Sequence, residues 1–354
     1  MKNRFYYILT IALLALLLCG CETIVYDSPA PQGSASVDMT EEISDFTIYF
    51  LDVGQADCAL ILSGGYSMLI DGGNVADSDL VYAFLQEKGI DHLDHIICTH
   101  AHEDHVGGLS AALRAASAGA VYSPVESYGS AAFENFKAAV DEQGLTLSRP
   151  LPQDSFALGD AEVIVLGPVF DYENTNNTSI VVKIIYGETS FLFTGDIERE
   201  AELDLIDSGA DLSCDVLKVP HHGSNTSSSY VFLYEAAPSY GIISCGTGNS
   251  YGHPHEDVLS RYRDADVLLY RTDMQGTVTC TSDGKTISFA VEKNEGSVTN
   301  PTQETEVLYI GNINSKKLHL QSCTSLPAEH NRVTFYNLEA AYSEGYENCG
   351  SCMR

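Results

Sequence analysis

Positive charge is what this chain has least of. Its 354 residues carry 18 Lys and Arg against 49 Asp and Glu, a formal charge of −31. A surface that acidic repels polyanions, so a broad basic groove for nucleic acid is excluded, whereas a local, metal-assisted phosphate site is not. Charged residues make up only 19% and apolar residues 44%, which excludes wholesale disorder and leaves material for one large or two ordinary cores. Long apolar runs are scarce too. Phe5–Leu18, broken only by Thr10, is 14 residues long, too short for a typical spanning helix. No transmembrane channel segment is expected after residue 21. The 11 His are distributed unevenly, and their clusters carry the functional signal.

The N-terminus reads as an address. Lys2 and Arg4 precede the apolar run, which suits the h-region of a signal peptide. Leu18-Cys19-Gly20-Cys21 resembles a bacterial lipobox, and that resemblance implies cleavage before Cys21 with diacylglycerol on its thiol. An ordinary secretory signal or a membrane anchor is the alternative. Residues 1–20 are thus expected to be a lipoprotein signal and 21–45, rich in Ser, Pro, Ala and acids, a flexible tether. The expected location is the extracytoplasmic face of the cell membrane, held by a lipid anchor.

From Phe46 onward, short apolar runs alternate with helical spacing. Phe46–Val53, Cys58–Leu62, Tyr66–Ile70, Asp94–Thr99, Ala161–Leu166, Ser179–Tyr186, Ser190–Thr194, Val216–Val219, Tyr240–Ser244 and Val267–Tyr270 read as strands. Leu80–Lys88, Leu109–Ala116 and Ala131–Val140 read as helices. Thr277–Thr281 and Thr286–Val291 flank Asp283-Gly284, a hairpin signal. The pattern predicts layered sheets covered by helices over 46–293. A polar linker follows at 294–306, then a small unit at 307–354. Cys58, Cys98, Cys214, Cys245 and Cys280 lie in strand-like runs and read as small buried hydrophobes.

His100, His102, Asp104 and His105 fall within six residues, after a strand and before Gly107-Gly108. His100 and His102 alternate and point the same way in an extended loop, while Asp104 and His105 can face a second point. Mixed imidazole and carboxylate ligands suit Zn²⁺ or Mn²⁺. Three further runs end in ligand-type residues: Leu69-Ile70-Asp71, Phe193-Thr194-Gly195-Asp196, and Val219-Pro220-His221-His222.

Together these motifs resemble the metallo-β-lactamase fold superfamily over about 46–293, and more narrowly the hydrolase domain of ComEC/Rec2-type DNA-uptake proteins. The narrower match rests on Phe50-Leu51-Asp52-Val53-Gly54-Gln55-Ala56-Asp57, Asp71-Gly72-Gly73, His100–His105, Asp196, His221-His222-Gly223-Ser224 and Tyr251-Gly252-His253-Pro254-His255. The resemblance implies an α/β fold, an αββα sandwich with the metal site at one edge. It implies a first metal at His100 and His102, and a second at Asp104 and His105. Asp196 would bridge them, one of His221 and His222 would complete the second site, and Asp71 would orient a ligand imidazole. One departure stands out: no His lies between His105 and His221, so the usual third ligand of the first metal is missing and one or two catalytic ions are possible.

A metal lowers the pKa of bound water towards ~7, and Asp104 is the candidate proton acceptor besides being a ligand. His253 is a candidate for binding phosphate or protonating a leaving group, and His255 for the same or for capping a helix. Gly223 and Ser224 are candidates for holding an anion. Asp52, Gln55 and Asp57 read chiefly as shaping the turn beside the site. Asn176, Asn177 and Ser179 are weaker candidates for touching substrate.

In the last unit the spacing His319-x₃-Cys323-x₂₅-Cys349-x₂-Cys352 is a tetrahedral zinc pattern, with a Cys349–Cys352 disulfide as the alternative. The run from Tyr309, with Asn331-Arg332-Val333 and Gly345-Tyr346, resembles the zinc-binding domain of Ada DNA-repair proteins. That family's methyl-accepting cysteine is His319 here. Methyl transfer is therefore not expected, and a structural zinc in a small α+β domain is. The function expected overall is a membrane-anchored, metal-dependent phosphodiesterase or nuclease acting on external DNA. Hydrolysis of a phosphocholine-type ester or of a lactone, lactam or thioester is an alternative, as is a non-catalytic surface binding protein. No partner protein is identifiable from the sequence.

Overall fold

The computed structural model describes residues 46–301, 309–320, 323–335 and 338–353. The lipobox, Cys21 and the expected tether lie outside the described residues. Among those described, no helix is long and apolar enough to cross a membrane.

Two sheets pack face to face. The first has eight strands in the spatial order Ile287–Val291, Val278–Ser282, Phe46–Phe50, Ala59–Ser63, Tyr66–Ile70, His92–Ile97, Ser117–Tyr122 and Leu147–Ser148. The second has seven, in the order Leu268–Arg271, Tyr240–Ile243, Val216–Lys218, Thr189–Phe193, Val181–Tyr186, Ala161–Gly167 and Ser155–Leu158.

The two-residue period of each strand decides what it covers. Phe46, Ile48, Phe50, Ile61 and Met68 turn inward and meet Ile184, Phe191, Phe193 and Ile242 of the other sheet in one buried cluster. Phe46 stacks on Phe191 with ring centroids 4.8 Å apart, and Phe50 on Phe193 at 5.7 Å. The alternate residues turn outward. Leu60 and Leu69 pack under the helices Ser78–Glu87, Leu109–Ala115 and Ala131–Glu142. Leu192, Leu217 and Ile243 pack under Arg199–Asp207, Tyr230–Ala236 and Glu256–Asp264. Ser130 and Ser229 start two of these helices, their hydroxyls accepting from the amides of Phe133 (3.2 Å) and Phe232 (3.3 Å). The result is layered sheets covered by helices, as the sequence pattern predicted, in the αββα arrangement that the resemblance implied.

A third sheet, of four strands, is built from Arg332–Phe335, Tyr309–Asn312, Lys317–Leu320 and Glu347–Asn348, in that spatial order, with a helix at Leu338–Ser343. Its buried cluster is Leu318, Phe335, Ala341 and Tyr346, a core too small to hold a unit of this size without reinforcement. Of the span read as a linker, the first residues are bonded to the sandwich. Asn294 Nδ2 donates to the carbonyl of Met274 (2.7 Å), Thr299 Oγ1 to that of Leu269 (2.5 Å) and Asn300 Nδ2 to that of Leu259 (3.0 Å). Residues 302–308 lie outside the described residues.

Parallel pairing places the functional loops on one rim. Tyr66–Ile70 runs parallel to His92–Ile97 in the first sheet, and Thr189–Phe193, Val216–Lys218 and Tyr240–Ile243 run parallel in the second. Asp71, His100, Asp196 and His221-His222 all follow the C-terminal ends of these strands. Glycines bring two of the loops into contact. A Cβ on Gly108 would sit 2.1 Å from the carbonyl oxygen of Gly72, and one on Gly107 2.3 Å from the amide of Val75. Gly72 N donates to the carbonyl of His105 across this crossing (2.7 Å). Gly108→Ala must push backbone against backbone. It is expected to destabilise the protein by about 1–3 kcal/mol, measured by denaturant unfolding. An unchanged midpoint would show that the crossing relaxes freely.

Candidate metal centre and its cleft

The His-rich loop leaves its strand at Ile97 and turns into the short helix Glu103–Val106, with His102 at its N-cap. This turn drives His100 and His105 into the interior while Asp104 stays at the cleft edge. Gly195, at φ +52°, packs against Ser179 and Thr99 and delivers Asp196 to the same place. His221 and His222 both hold left-handed backbone (φ +52° and +53°), a strained arrangement for non-glycine residues that the surrounding bonds must impose. One such bond runs from His221 N to the carbonyl of Gly195 (3.1 Å).

The loops converge on one buried oxygen. Asp196 Oδ2 lies 3.3 Å from His105 Nε2, 3.5 Å from His222 Nε2, 3.8 Å from His221 Nε2 and 3.9 Å from His100 Nε2. His222 Nε2 also lies 3.4 Å from Asp104 Oδ2. Ligand atoms of Asp104, His105, Asp196 and His222 all fall within 4.8 Å of one another. His100 and His102 meet edge to face, with Nε2 and Nδ1 3.0 Å apart. The structure thus brings together every residue expected at the metal centre and separates the two adjacent histidines. His222 is buried and joins the four-ligand group, whereas His221 is more exposed and turns its Nδ1 to Thr226 Oγ1 (3.0 Å).

The donor set fits a cation. His105 Nε2, His222 Nε2 and Asp196 Oδ1 are buried with no hydrogen-bond partner, and each such orphan costs about 1–3 kcal/mol. The charges point the same way. Burial disfavours protonation of His105, yet Asp196, Asp71 and Asp104 outweigh it and hold its pKa well above the ordinary value. Burial likewise disfavours ionised Asp104, but His105 and His222 hold its carboxyl down to about 2. A divalent ion held by these groups would satisfy the orphans and take the place of the protons.

A second layer fixes the ligands. Asp71 accepts from Thr99 N (2.8 Å), Thr99 Oγ1 (2.7 Å) and His105 Nδ1 (2.8 Å), so its expected orienting role has a geometry. His222 Nδ1 donates to the carbonyl of Ser244 (2.9 Å) and lies 3.3 Å from Asp57 Oδ1. Asp57 in turn pairs with Lys218 Nζ at 2.8 Å, both side chains almost fully buried. The Asp57 backbone ties the same loops together, its amide donating to Asp104 O (3.1 Å) and its carbonyl accepting from Gly73 N (2.8 Å). Sequence reading gave Asp57 chiefly a turn-shaping role, with contact to substrate as the alternative, and passed over Lys218. The available signal was a lysine inside the otherwise apolar run Val216–Val219.

A cleft of about 510 Å³ opens over the centre, lined by Gln55, Asp104, Asn176, His222, Tyr251 and His253 among others. His253 faces it. Gln55 Oε1 accepts from Gly246 N (3.1 Å), so Gln55 Nε2 faces His253 Nδ1 (3.3 Å) and leaves the imidazole proton on Nε2. Burial, with His222 and His221, pushes the His253 pKa down to about 4. A neutral ring with its proton on Nε2 can donate a hydrogen bond to substrate. Ser224 is buried, its amide donating to His221 O (2.8 Å) and its hydroxyl facing Thr226 Oγ1 (3.0 Å). A Cβ on Gly223 would meet Pro254 at 2.6 Å, so this glycine permits close packing of two loops. His255 holds the N-cap position of the helix Glu256–Asp264 without a side-chain capping bond, and its Nδ1 accepts from Asn225 N (3.1 Å). Asn177 and Ser179 brace the site: Asn177 Oδ1 accepts from Glu198 N (2.8 Å) and Ser179 Oγ from Asp196 N (3.1 Å).

A second candidate centre lies in the C-terminal unit. His319, Cys323, Cys349 and Cys352 have ligand atoms within 4.8 Å of one another, and the described cysteines are all free. Amides of the closing turn, that of Ser351 foremost, hold the Cys349 thiol down to about 7, while burial with the neighbouring Cys323 and Cys349 pushes that of Cys352 up to about 11; metal binding requires the thiolate of both. This is the four-protein-ligand pattern of a structural ion.

Two outcomes follow from this geometry. Lys218→Met strands the Asp57 carboxylate; second-site Mn²⁺ affinity is expected to fall ~10–100-fold and stability by about 3–5 kcal/mol, read by metal titration and denaturant unfolding. Cys349→Ser is expected to remove about one zinc equivalent and to leave hydrolysis unchanged. Full zinc content in that variant would refute the second centre.

The sequence profile of the Metallo-beta-lactamase superfamily matches residues 51–247. ComE operon protein 3 of Bacillus subtilis is 29% identical over 294 residues, which cover 78% of this chain and 36% of that protein. Competence protein ComA of Neisseria gonorrhoeae is 30% identical over 229 residues, covering 64% of this chain and 31% of that one. The chain spans about a third of the length of these curated relatives. The metallo-beta-lactamase fold protein YhfI of Bacillus subtilis superposes with a TM-score of 0.45 at 14% identity, over 70% of this chain and 100% of that one. With the fold, the ligand set and the profile in agreement, the chain belongs to the metallo-β-lactamase superfamily, as a metal-dependent hydrolase related to competence proteins.

Proposed function

We propose that this protein is an extracytoplasmic, lipid-anchored phosphodiesterase that cleaves external DNA. The observation that carries the chemistry is the convergence of His100, His105, His221 and His222 on Asp196 Oδ2, with Asp104 beside His222. Zinc or manganese fits this mixed imidazole and carboxylate set. A bound divalent ion supplies an acidified water and a positive charge facing the anionic transition state. The chain's own residues do the remainder. Asp71 fixes the His105 ring, while Ser244 and Asp57 fix that of His222. Asp104, at the cleft edge, is placed to accept a proton. His253, beside His221 and His222, offers Nε2–H to a substrate oxygen.

The competence-protein relatives support DNA as substrate, and the lipobox resemblance supports an anchor at Cys21. The acidic balance of the chain shapes how DNA would be handled. Repulsion between −31 of formal charge and a polyanion weakens at moderate salt, because screening shortens its reach to ~8–10 Å. DNA hydrolysis is therefore expected to hold or rise between roughly 50 and 200 mM salt, where a basic nuclease loses ~10³–10⁵ in affinity. A steep loss would contradict this reading.

Metal-reconstituted protein assayed on DNA, bis-nitrophenyl phosphate and nitrocefin tests the reaction class. Cleavage of both phosphodiesters is expected; turnover of nitrocefin alone would overturn the proposal. Asp104→Ala is expected to cut phosphodiester hydrolysis by about 10²-fold or more, through loss of an ion ligand and proton acceptor together, with an unchanged circular dichroism spectrum. Full activity in that variant would remove Asp104 from the machinery.

A further inference from the structure

We propose that the exposed face of Tyr251 is a stacking platform for an unpaired nucleobase, so that a single-stranded substrate is held beside the metal centre by its base. This rests on the nuclease reading above and names the form of nucleic acid the cleft takes.

Three observations lead there. Tyr251 is 66% exposed, yet it lines the cleft together with Asp104, Asp196 and His222. One face of its ring is already used: it stacks on His253 at 5.6 Å and 24°, and His253 stacks on His222 at 6.3 Å and 23°. The rings therefore form a near-parallel series running from the metal centre outward, with the tyrosine as its outermost member. The loop is also preset. Asn249 Oδ1 accepts from Tyr251 N (3.1 Å) and His253 N (3.0 Å), while its Nδ2 donates to the carbonyls of Gly246 (2.9 Å) and His253 (2.6 Å). Binding to a ring held by such a loop costs little ordering.

The charge of the cleft gives the platform its purpose. Among the described residues lining it there is no lysine or arginine, and Glu103, Asp104 and Asp196 are present. Phosphate contacts by basic side chains, the usual source of nucleic-acid affinity, are missing from these walls. The base is the uncharged part of a nucleotide, and a π-face attracts it without opposing the local charge. Stacking on an aromatic side chain tolerates any base. Bases in a duplex have both faces covered, so only a single strand or a frayed end can use the site.

The test compares metal-loaded wild type, Tyr251→Ala and Tyr251→Phe on an oligothymidylate and on an abasic strand of the same length. Wild type is expected to favour the base-bearing strand about tenfold or more in kcat/KM, mainly through KM. Tyr251→Ala is expected to lose most of that preference, and Tyr251→Phe to keep it because the ring remains. If wild type cleaves both strands equally, the nuclease reading stands and the platform is overturned. A preference that survives Tyr251→Ala also overturns the platform, as does one lost equally in Tyr251→Phe. If neither strand is cleaved, the nuclease reading fails and the platform falls with it.

Discussion

The convergence on Asp196 Oδ2 sets the terms for the rest of the molecule. Four imidazole nitrogens lie within 3.3–3.9 Å of that one buried oxygen. Asp196, His100, His105 and His222 are almost fully buried there, and hydrogen bonds leave several of the polar atoms unsatisfied. Such a cluster is costly to bury without a cation. The two sheets make the convergence possible by ending parallel strands on a common rim. Each ligand loop then needs only a few residues to reach the centre, and rigid strands, packed through Phe46, Phe50, Phe191 and Phe193, set its origin.

Behind the ligands sits a second charged layer whose work is positional. Asp71 holds His105 from one sheet, and Asp57 stands between His222 and Lys218 from the other. Asp57 also bonds through its backbone to the loops carrying Asp71 and Asp104. One buried carboxylate thus couples both halves of the sandwich at the site. Lys218 lets that carboxylate stay ionised in the interior, where burial alone would raise its pKa; with Lys218 and His222 nearby, the pKa is held far below the usual range. The arrangement trades folding stability for fixed ligand geometry, a pattern common at functional sites.

Much of this was legible in the sequence because the signals were local. Strand ends followed by His, Asp or Gly marked Asp71, the His100–His105 run, Asp196 and His221-His222 before any fold was known. Strands rich in Val, Ile and Phe were found with small shifts at their ends; Phe46–Val53, for example, stops at Phe50. Ser117–Tyr122 was missed, since its Ser-Ala-Gly-Ala run has little intrinsic preference for a strand and is held by parallel pairing with His92–Ile97. The choice between His221 and His222 was not legible either. Adjacent residues share every local signal, and only the turn of the backbone into the left-handed region sends one inward. Lys218 and Asn249 belong to the same class, because their roles depend on partners distant in the chain or on loop geometry. The roles expected for Gly223 and Ser224 followed residue chemistry alone, which carried no sign that Gly223 packs on Pro254 or that the Ser224 hydroxyl meets Thr226.

The division of labour between the two adjacent histidines is the most direct probe of the centre. His222 is buried, joined to Asp104 and Asp196 and braced by Ser244, while His221 lies outside the four-ligand group. Metal-free protein titrated with Mn²⁺, with bound ion counted by electron paramagnetic resonance, separates the two roles without any substrate. His222→Ala is predicted to lose the tight ion, and His221→Ala to keep it with at most a modest loss of affinity. The reverse order, or equal loss in both variants, would contradict a metal held by Asp104, His105, Asp196 and His222.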